Sequence, residues 1–128
     1  MGQQQLLLII LGVIVVGIAI GVGITMFSAS SVSANKDGLI NDLNNLAANA
    51  YQFRIRPATM GGGNYSYTNY VIPQKLRTNS NGSYTTTVVA TGSITFKATS
   101  SQKATNTVTA VLDSTGSLTS FTYAGEFQ

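Results

Sequence analysis

Apolar and polar residues fall into three regimes along this chain. From Leu6 to Phe27, 22 residues, only Thr25 lies outside the apolar-plus-glycine set, and the first charged residue is Lys36. Leu6, Leu7, Leu8, Ile9, Ile10, Leu11, Val13, Ile14, Val15, Val16, Ile18, Ile20, Val22, Ile24 and Phe27 would point in every direction around a helix. An all-round apolar helix is buried on every side, by lipid or by other helices. At about 1.5 Å per residue the run spans roughly the 30 Å of a bilayer's hydrocarbon core. Gly12, Gly17, Gly21 and Gly23 interrupt it, and Gly17 and Gly21 stand in the G-x-x-x-G spacing that lets two backbones approach closely.

Ser28 to Asn35 is small and polar, which predicts a softening or break. Beyond it the pattern becomes one-sided. Leu39, Leu43, Leu46, Ala50 and Phe53 recur at three- and four-residue spacing, while Asn41, Asp42, Asn44, Asn45 and Asn49 take the other side. The spacing predicts one long helix from about Gln4 to Phe53, whose amphipathic stretch, residues 36–53, lies against its own head. Arg56-Pro57 ends it, because the residue before proline disfavours the helical region.

After the connector Gly61-Gly62-Gly63 come segments of β composition: Tyr65–Ile72, Ser83–Ala90, Ser93–Thr99, Thr107–Leu112 and Leu118–Tyr123. Ile94, Phe96 and Ala98 alternate with Ser93, Thr95 and Lys97, the mark of a strand with one buried face. Short connections, including Asp113-Ser114-Thr115-Gly116, predict an antiparallel meander ending in a hairpin, with Asp113 as the first residue of its turn. The expected fold class is therefore α+β. A long hydrophobic helix in residues 1–56 carries a small antiparallel β-sheet head, residues 57–128, packed on the helix's second half.

Composition narrows the function. A head of roughly 70 residues is marginal as an independent core. With no cysteine to staple it, it is expected to lean on the helix or on neighbouring copies. The net charge of +3 comes from seven scattered cations against four acids. Arg54-Ile55-Arg56 is too short for a basic stripe, so a nucleic-acid surface is not expected. There is no histidine and no cysteine, and Asp37 and Asp42 do not share a helix face. Neither catalysis nor a cofactor is expected. Tyr51, Phe53, Tyr65, Tyr67 and Tyr70 read as packing that seals the head rather than as a ligand platform. Between Tyr65 and Gln128, 23 of 64 residues are Ser or Thr, which suits a charge-poor outer surface. Asn64-Tyr65-Ser66 and Asn81-Gly82-Ser83 are acceptor triplets for glycosylation at Asn64 and Asn81.

Val32-Ser33-Ala34 resembles a small-residue cleavage site. The uncharged start Met1-Gly2-Gln3-Gln4-Gln5 and the length of the apolar run nevertheless predict that the segment is retained, and the start at Met1 favours retention of the first two residues. The run Leu6-Leu7-Leu8-Ile9-Ile10-Leu11-Gly12-Val13-Ile14-Val15-Val16-Gly17-Ile18-Ala19-Ile20 resembles the N-terminal helix of type IV pilins and their archaeal relatives. The likeness covers the pattern of residues 1–53; for the head only the general β character matches. Bacterial members of that family carry a short basic leader cut after a glycine, and a glutamate as fifth mature residue. Here the fifth residue is Gln5, or Leu7 if cleavage follows Gly2, so the family's glutamate-to-amine pairing is absent.

The resemblance implies the major subunit of an extracellular helical filament of identical copies, held in the cytoplasmic membrane before a pilus assembly machinery polymerises it. Two other readings fit the first helix. One is a single-pass membrane protein whose small head binds a ligand or partner; the other is a pseudopilin of a secretion machine.

Overall fold

The computed structural model describes residues 2–128. The expectation about Met1 lies outside the described residues. One α-helix, α1, covers Gly2–Ile55 and passes through Ser28–Asn35 without the expected break. The chain forms two compact units, the first ending at Ser33 and the second running from Ala34 to Gln128.

In the first unit every residue from Gly2 to Ser30 is exposed. The one polar residue of the apolar run is satisfied internally, since Thr25 Oγ1 donates to the Gly21 carbonyl at 3.0 Å. A hydroxyl can therefore sit in an apolar environment without an orphaned donor.

In the second unit α1 presents Leu39, Leu43, Leu46, Ala47 and Ala50 as its buried stripe. The stripe packs on an antiparallel sheet of strands β1 (Gly82–Val89), β2 (Ile94–Ser100), β3 (Thr107–Leu112) and β4 (Leu118–Ala124), in sequential order. On β2 and β3, Ile94, Phe96, Ala98, Val108, Ala110 and Leu112 have no solvent exposure. Between them Thr95, Lys97, Thr107, Thr109 and Val111 face outward to varying degrees. The polar faces expected of these Thr-rich strands are thus the faces turned away from α1. Strand β4 differs: from Thr119 to Thr122 it is exposed on both faces.

Two expectations need correction. Tyr65–Ile72 is not a strand. Asn64, Tyr65 and Asn69 all have positive φ, and Pro73 follows, so the backbone turns repeatedly. Tyr67 and Tyr70 are buried by this coil, three residues apart rather than at the spacing of two that one strand face requires.

Gly61-Gly62-Gly63 is likewise no loose connector. Gly63 N donates to Phe53 O at 2.8 Å, Tyr65 N to Arg54 O at 2.6 Å and Asn64 N to Arg56 O at 3.0 Å. The bonds to Phe53 and Arg54 satisfy carbonyls at the C-terminal end of α1 that have no partner within the helix, and the third holds Arg56 just past that end. A Cβ on Gly63 would lie 2.9 Å from the Phe53 ring on α1 and 1.9 Å from Ser66 O within the turn itself.

Candidate functional site

The largest feature of the molecule without an intramolecular role is the surface of the first unit. Its sixteen large apolar side chains from Leu6 to Phe27 are each 53% to 77% exposed. They include every position expected from sequence to form a polymerisation core: Leu6 to Leu11, Val13 to Val16, Ile18, Ile20, Val22, Ile24 and Phe27. Each such side chain left in water forgoes about 1.5–3 kcal/mol. The segment belongs to a helix long and apolar enough to cross a membrane.

The four glycines within it pack against nothing. A Cβ added to Gly12, Gly17, Gly21 or Gly23 would meet no atom within 4 Å. Nothing in the isolated chain therefore requires a missing side chain at these positions. Gly12 and Gly17 instead open a shallow apolar groove bordered by Ile9, Val13, Val16 and Ile20.

At the other end of α1 the expected packing residues are in place. Leu39, Leu43 and Ala50 have no exposure and Leu46 has 2%. Phe53 is only half-buried, with its ring 5.4 Å from that of Tyr70. Burial pushes the Tyr70 phenol up to about 12, and the phenol donates to Asn49 Oδ1 at 2.7 Å. Tyr67 is fully buried, and its hydroxyl donates to the Asp113 carbonyl at 2.6 Å. Tyr65 stays 67% exposed, so the five aromatics do not form one continuous platform.

Two polar pins along α1 had no sequence signal. Asp42, read from the helical pattern as part of the wet face, is half-buried and gathers three donors on Oδ2. Asn79 Nδ2 and Asn81 Nδ2 donate at 2.8 Å each, and the Tyr84 phenol completes the set. Burial opposes the charge, but the bonds from Asn81, Tyr84 and Asn79 outweigh it and hold the carboxyl below its ordinary value. Tyr84 is pushed up, first by burial and then by donating to that carboxylate.

Two helical turns earlier, buried Asn35 donates through Nδ2 to Asn81 O at 3.0 Å and accepts from Ser100 Oγ. All the partners lie far along the chain, on the turn before β1, near the start of β1 and at the end of β2. Helical spacing alone could not reveal them.

The pins change the reading of the two glycosylation triplets. Asn81 Nδ2, the atom a glycan would occupy, already donates to Asp42, and the residue is half-buried against α1. A Cβ on Gly38 would come within 3.0 Å of that side chain. Asn64 is exposed. Asp113, as expected, builds its turn: Oδ1 accepts from Thr115 N at 2.9 Å and Ser117 N at 3.0 Å, and Gly116 supplies φ +88°.

Arg54, read from sequence only as part of too short a basic stripe, has contacts that the sequence did not signal. Its guanidinium lies 5.5 Å from the Tyr67 ring centroid, and its Nε is buried without a hydrogen-bond partner. Among the described residues no three of His, Cys, Asp or Glu gather as a metal site. No protein-family model, curated protein or solved structure matches the chain.

Proposed function

We propose that this chain is the structural subunit of an extracellular, pilin-like helical filament, polymerising through Leu6–Phe27. One observation carries the reading. The apolar helix is bare on every side, including four glycines that serve no contact within the chain, yet it continues as the core helix of the folded head. A bundle of copies supplies what such a helix lacks. Side chains meet side chains, and the glycines let neighbouring backbones approach.

Before assembly the same segment is at home in a bilayer. Lipid tails are about as apolar as leucine, so exchanging lipid for neighbouring helices involves no large hydrophobic gain or loss. Water is the disfavoured environment, which makes the assembled filament hard to dissociate. In this reading the partners are identical copies, the membrane before assembly and a dedicated assembly machinery, and the head forms the outer surface.

Electron microscopy of material sheared from cells, with the subunit identified by mass, is the direct test. Filaments containing this chain are expected. Their absence, with the protein retained in membranes, would favour a single-pass anchor carrying a binding head.

A further inference from the structure

The sheet is left open at both edges, and the two edges match. The sequential order β1-β2-β3-β4 puts the first and last strands outermost. Every adjacent pair is antiparallel, so β1 and β4 run in opposite directions. A second copy of β1 laid beside β4 would therefore continue the same antiparallel alternation. Exposed edges invite pairing, and natural sheets blunt them with lysine, proline, inward charges or a covering segment. Strand β4, Leu-Thr-Ser-Phe-Thr-Tyr-Ala, carries no charge and no proline, and it is exposed from Thr119 to Thr122.

Strand β1 is closed along its first half only. Tyr84 N donates to Arg77 O at 2.8 Å, and Asn79 N donates to Gly82 O at 2.9 Å. Its second half, Thr86–Val89, has no such cover among the described residues, and Val88 and Val89 are 55% and 39% exposed. Beside this edge lies an open cleft of about 280 Å³, bordered by Val71, Ile72, Arg77, Tyr84, Thr85 and Thr86. On β4 the exposed ring of Phe121 lies parallel to Tyr123, with centroids 6.4 Å apart. Each sheet thus offers an exposed aromatic at one edge and, at the other, a cleft of mixed lining in which Val71 and Ile72 lie beside Arg77, Thr85 and Thr86.

We propose that Phe121–Ala124 of one copy pairs with Thr86–Val89 of the next, joining successive heads into one antiparallel sheet along the filament. An irregularity marks the start of the ladder on β4, where the β3–β4 register shifts between Thr109 and Val111 and Ser120 takes φ +54°, just before Phe121. On β1 the register with β2 shifts between Thr86 and Val88, inside the paired stretch, which keeps the ladder short. A ladder this short cannot hold two free chains together. It forms when the helix bundle keeps neighbouring heads at high effective concentration.

The contact is heterologous: an edge of one kind meets an edge of the other, and the series need not close. That is the symmetry a filament uses. The inference rests on the filament reading, and its test separates the two.

Hydrogen exchange is measured on wild-type filaments and on full-length subunits dispersed in detergent, with the amides of the exposed turn residues Lys103 and Ala104 as the reference. Phe121–Ala124 and Thr86–Val89 should exchange at least about tenfold more slowly in filaments. Equal exchange in intact filaments overturns the edge pairing and leaves the filament standing; no filaments at all overturns both. Cysteine pairing distinguishes this ladder from general crowding, since the chain has no cysteine of its own. Oxidised filaments carrying both Val89→Cys and Phe121→Cys, which stand directly opposite when Phe121–Ala124 runs antiparallel along Thr86–Val89, should give a ladder of disulfide-linked multimers, and each single variant should stay monomeric. Monomers from the double variant's filaments would overturn the proposal. If that variant does not assemble, exchange in the wild type decides.

Discussion

The carboxylate of Asp42 on α1 accepts the phenolic proton of Tyr84 near the start of β1, across 42 positions of sequence. With Asn79 and Asn81 also donating to Oδ2, a single helix residue fixes where the turn before β1 meets α1. Hydrophobic packing of Leu39, Leu43 and Leu46 sets that the helix lies on the sheet. The polar pin sets its register, since sliding α1 by one residue would break all three bonds together.

Acid should weaken this pin. The Asp42 carboxyl is held below its unfolded value of 3.8. Its contribution is thus fully present above that value and is lost as pH falls through the lower, folded one. Asp42→Asn should destabilise the head by about 1–2 kcal/mol at neutral pH, the low end for bonds to a charged group because the site is part-exposed. The gap to wild type should close below pH 3.8, where wild-type Asp42 also takes up a proton. Melting temperatures of both full-length proteins in detergent, from pH 7 to pH 2, give the comparison. Parallel curves would mean that Asp42 does not carry the acid sensitivity.

Packing under the sheet gives a larger effect. Leu43 and Leu46 are 0% and 2% exposed, so truncating either to alanine should cost about 2–5 kcal/mol. Asn44, exposed on the same helix turn, is the control; Asn44→Ala should change stability by less than about 0.5 kcal/mol. Urea unfolding followed by far-UV circular dichroism of the head's β signal reads both. A Leu43→Ala variant as stable as Asn44→Ala would remove α1 from that core.

These contrasts show what the chain's pattern could convey. Periodicity placed Leu39, Leu43, Leu46 and Ala50 correctly, because burial repeats with the helix. Alternation placed β2 within a residue at each end and β3 at its observed ends, because Ile94, Phe96 and Ala98 share a face. Aromatic and β-branched content misled at Tyr65–Ile72, where Asn64, Asn69 and Pro73 were the overlooked turn signals. Asp42 and Asn35 were illegible for another reason. Each is one polar residue among many on a helix, and its partners come from segments whose placement only the folded sheet determines. The predicted meander already put the last strand at an edge, while the misread strand at Tyr65–Ile72 hid the open edge of β1.

The glycines of the apolar helix yield a test in which folding and assembly part company. Because a Cβ at Gly17 or Gly21 meets nothing in the isolated chain, Gly17→Leu should leave the head's melting temperature unchanged. Between helices the same change fills the groove beside Val13, Val16 and Ile20, and should abolish or sharply reduce filaments. Ile18→Asp is the harsher variant, burying an unpartnered charge at a cost of several kcal/mol. Both must be scored only where the variant still reaches the membrane fraction. Normal filaments from Gly17→Leu would place the glycines away from helix contacts. Normal filaments from Ile18→Asp would dismiss the apolar helix as the filament's dry axis.

Sugar on this head is expected at Asn64 and not at Asn81. Both carry the acceptor triplet, but attachment needs the side-chain nitrogen free and room around it. Asn64 is exposed, on a turn with φ +50°. Asn81 Nδ2 is committed to Asp42 at 2.8 Å, and its backbone carbonyl accepts from Asn35. A glycan there would have to displace α1 from the turn before β1, dismantling both pins. Peptide mapping by mass spectrometry of subunits from native filaments locates any hexose-spaced additions above the 13.4 kDa chain. An unmodified mass would remove the sugar and leave the pins intact. A glycosylated Asn81 peptide from folded subunits would contradict the contact between α1 and the Asn79–Tyr84 segment itself, and with it the register of helix on sheet.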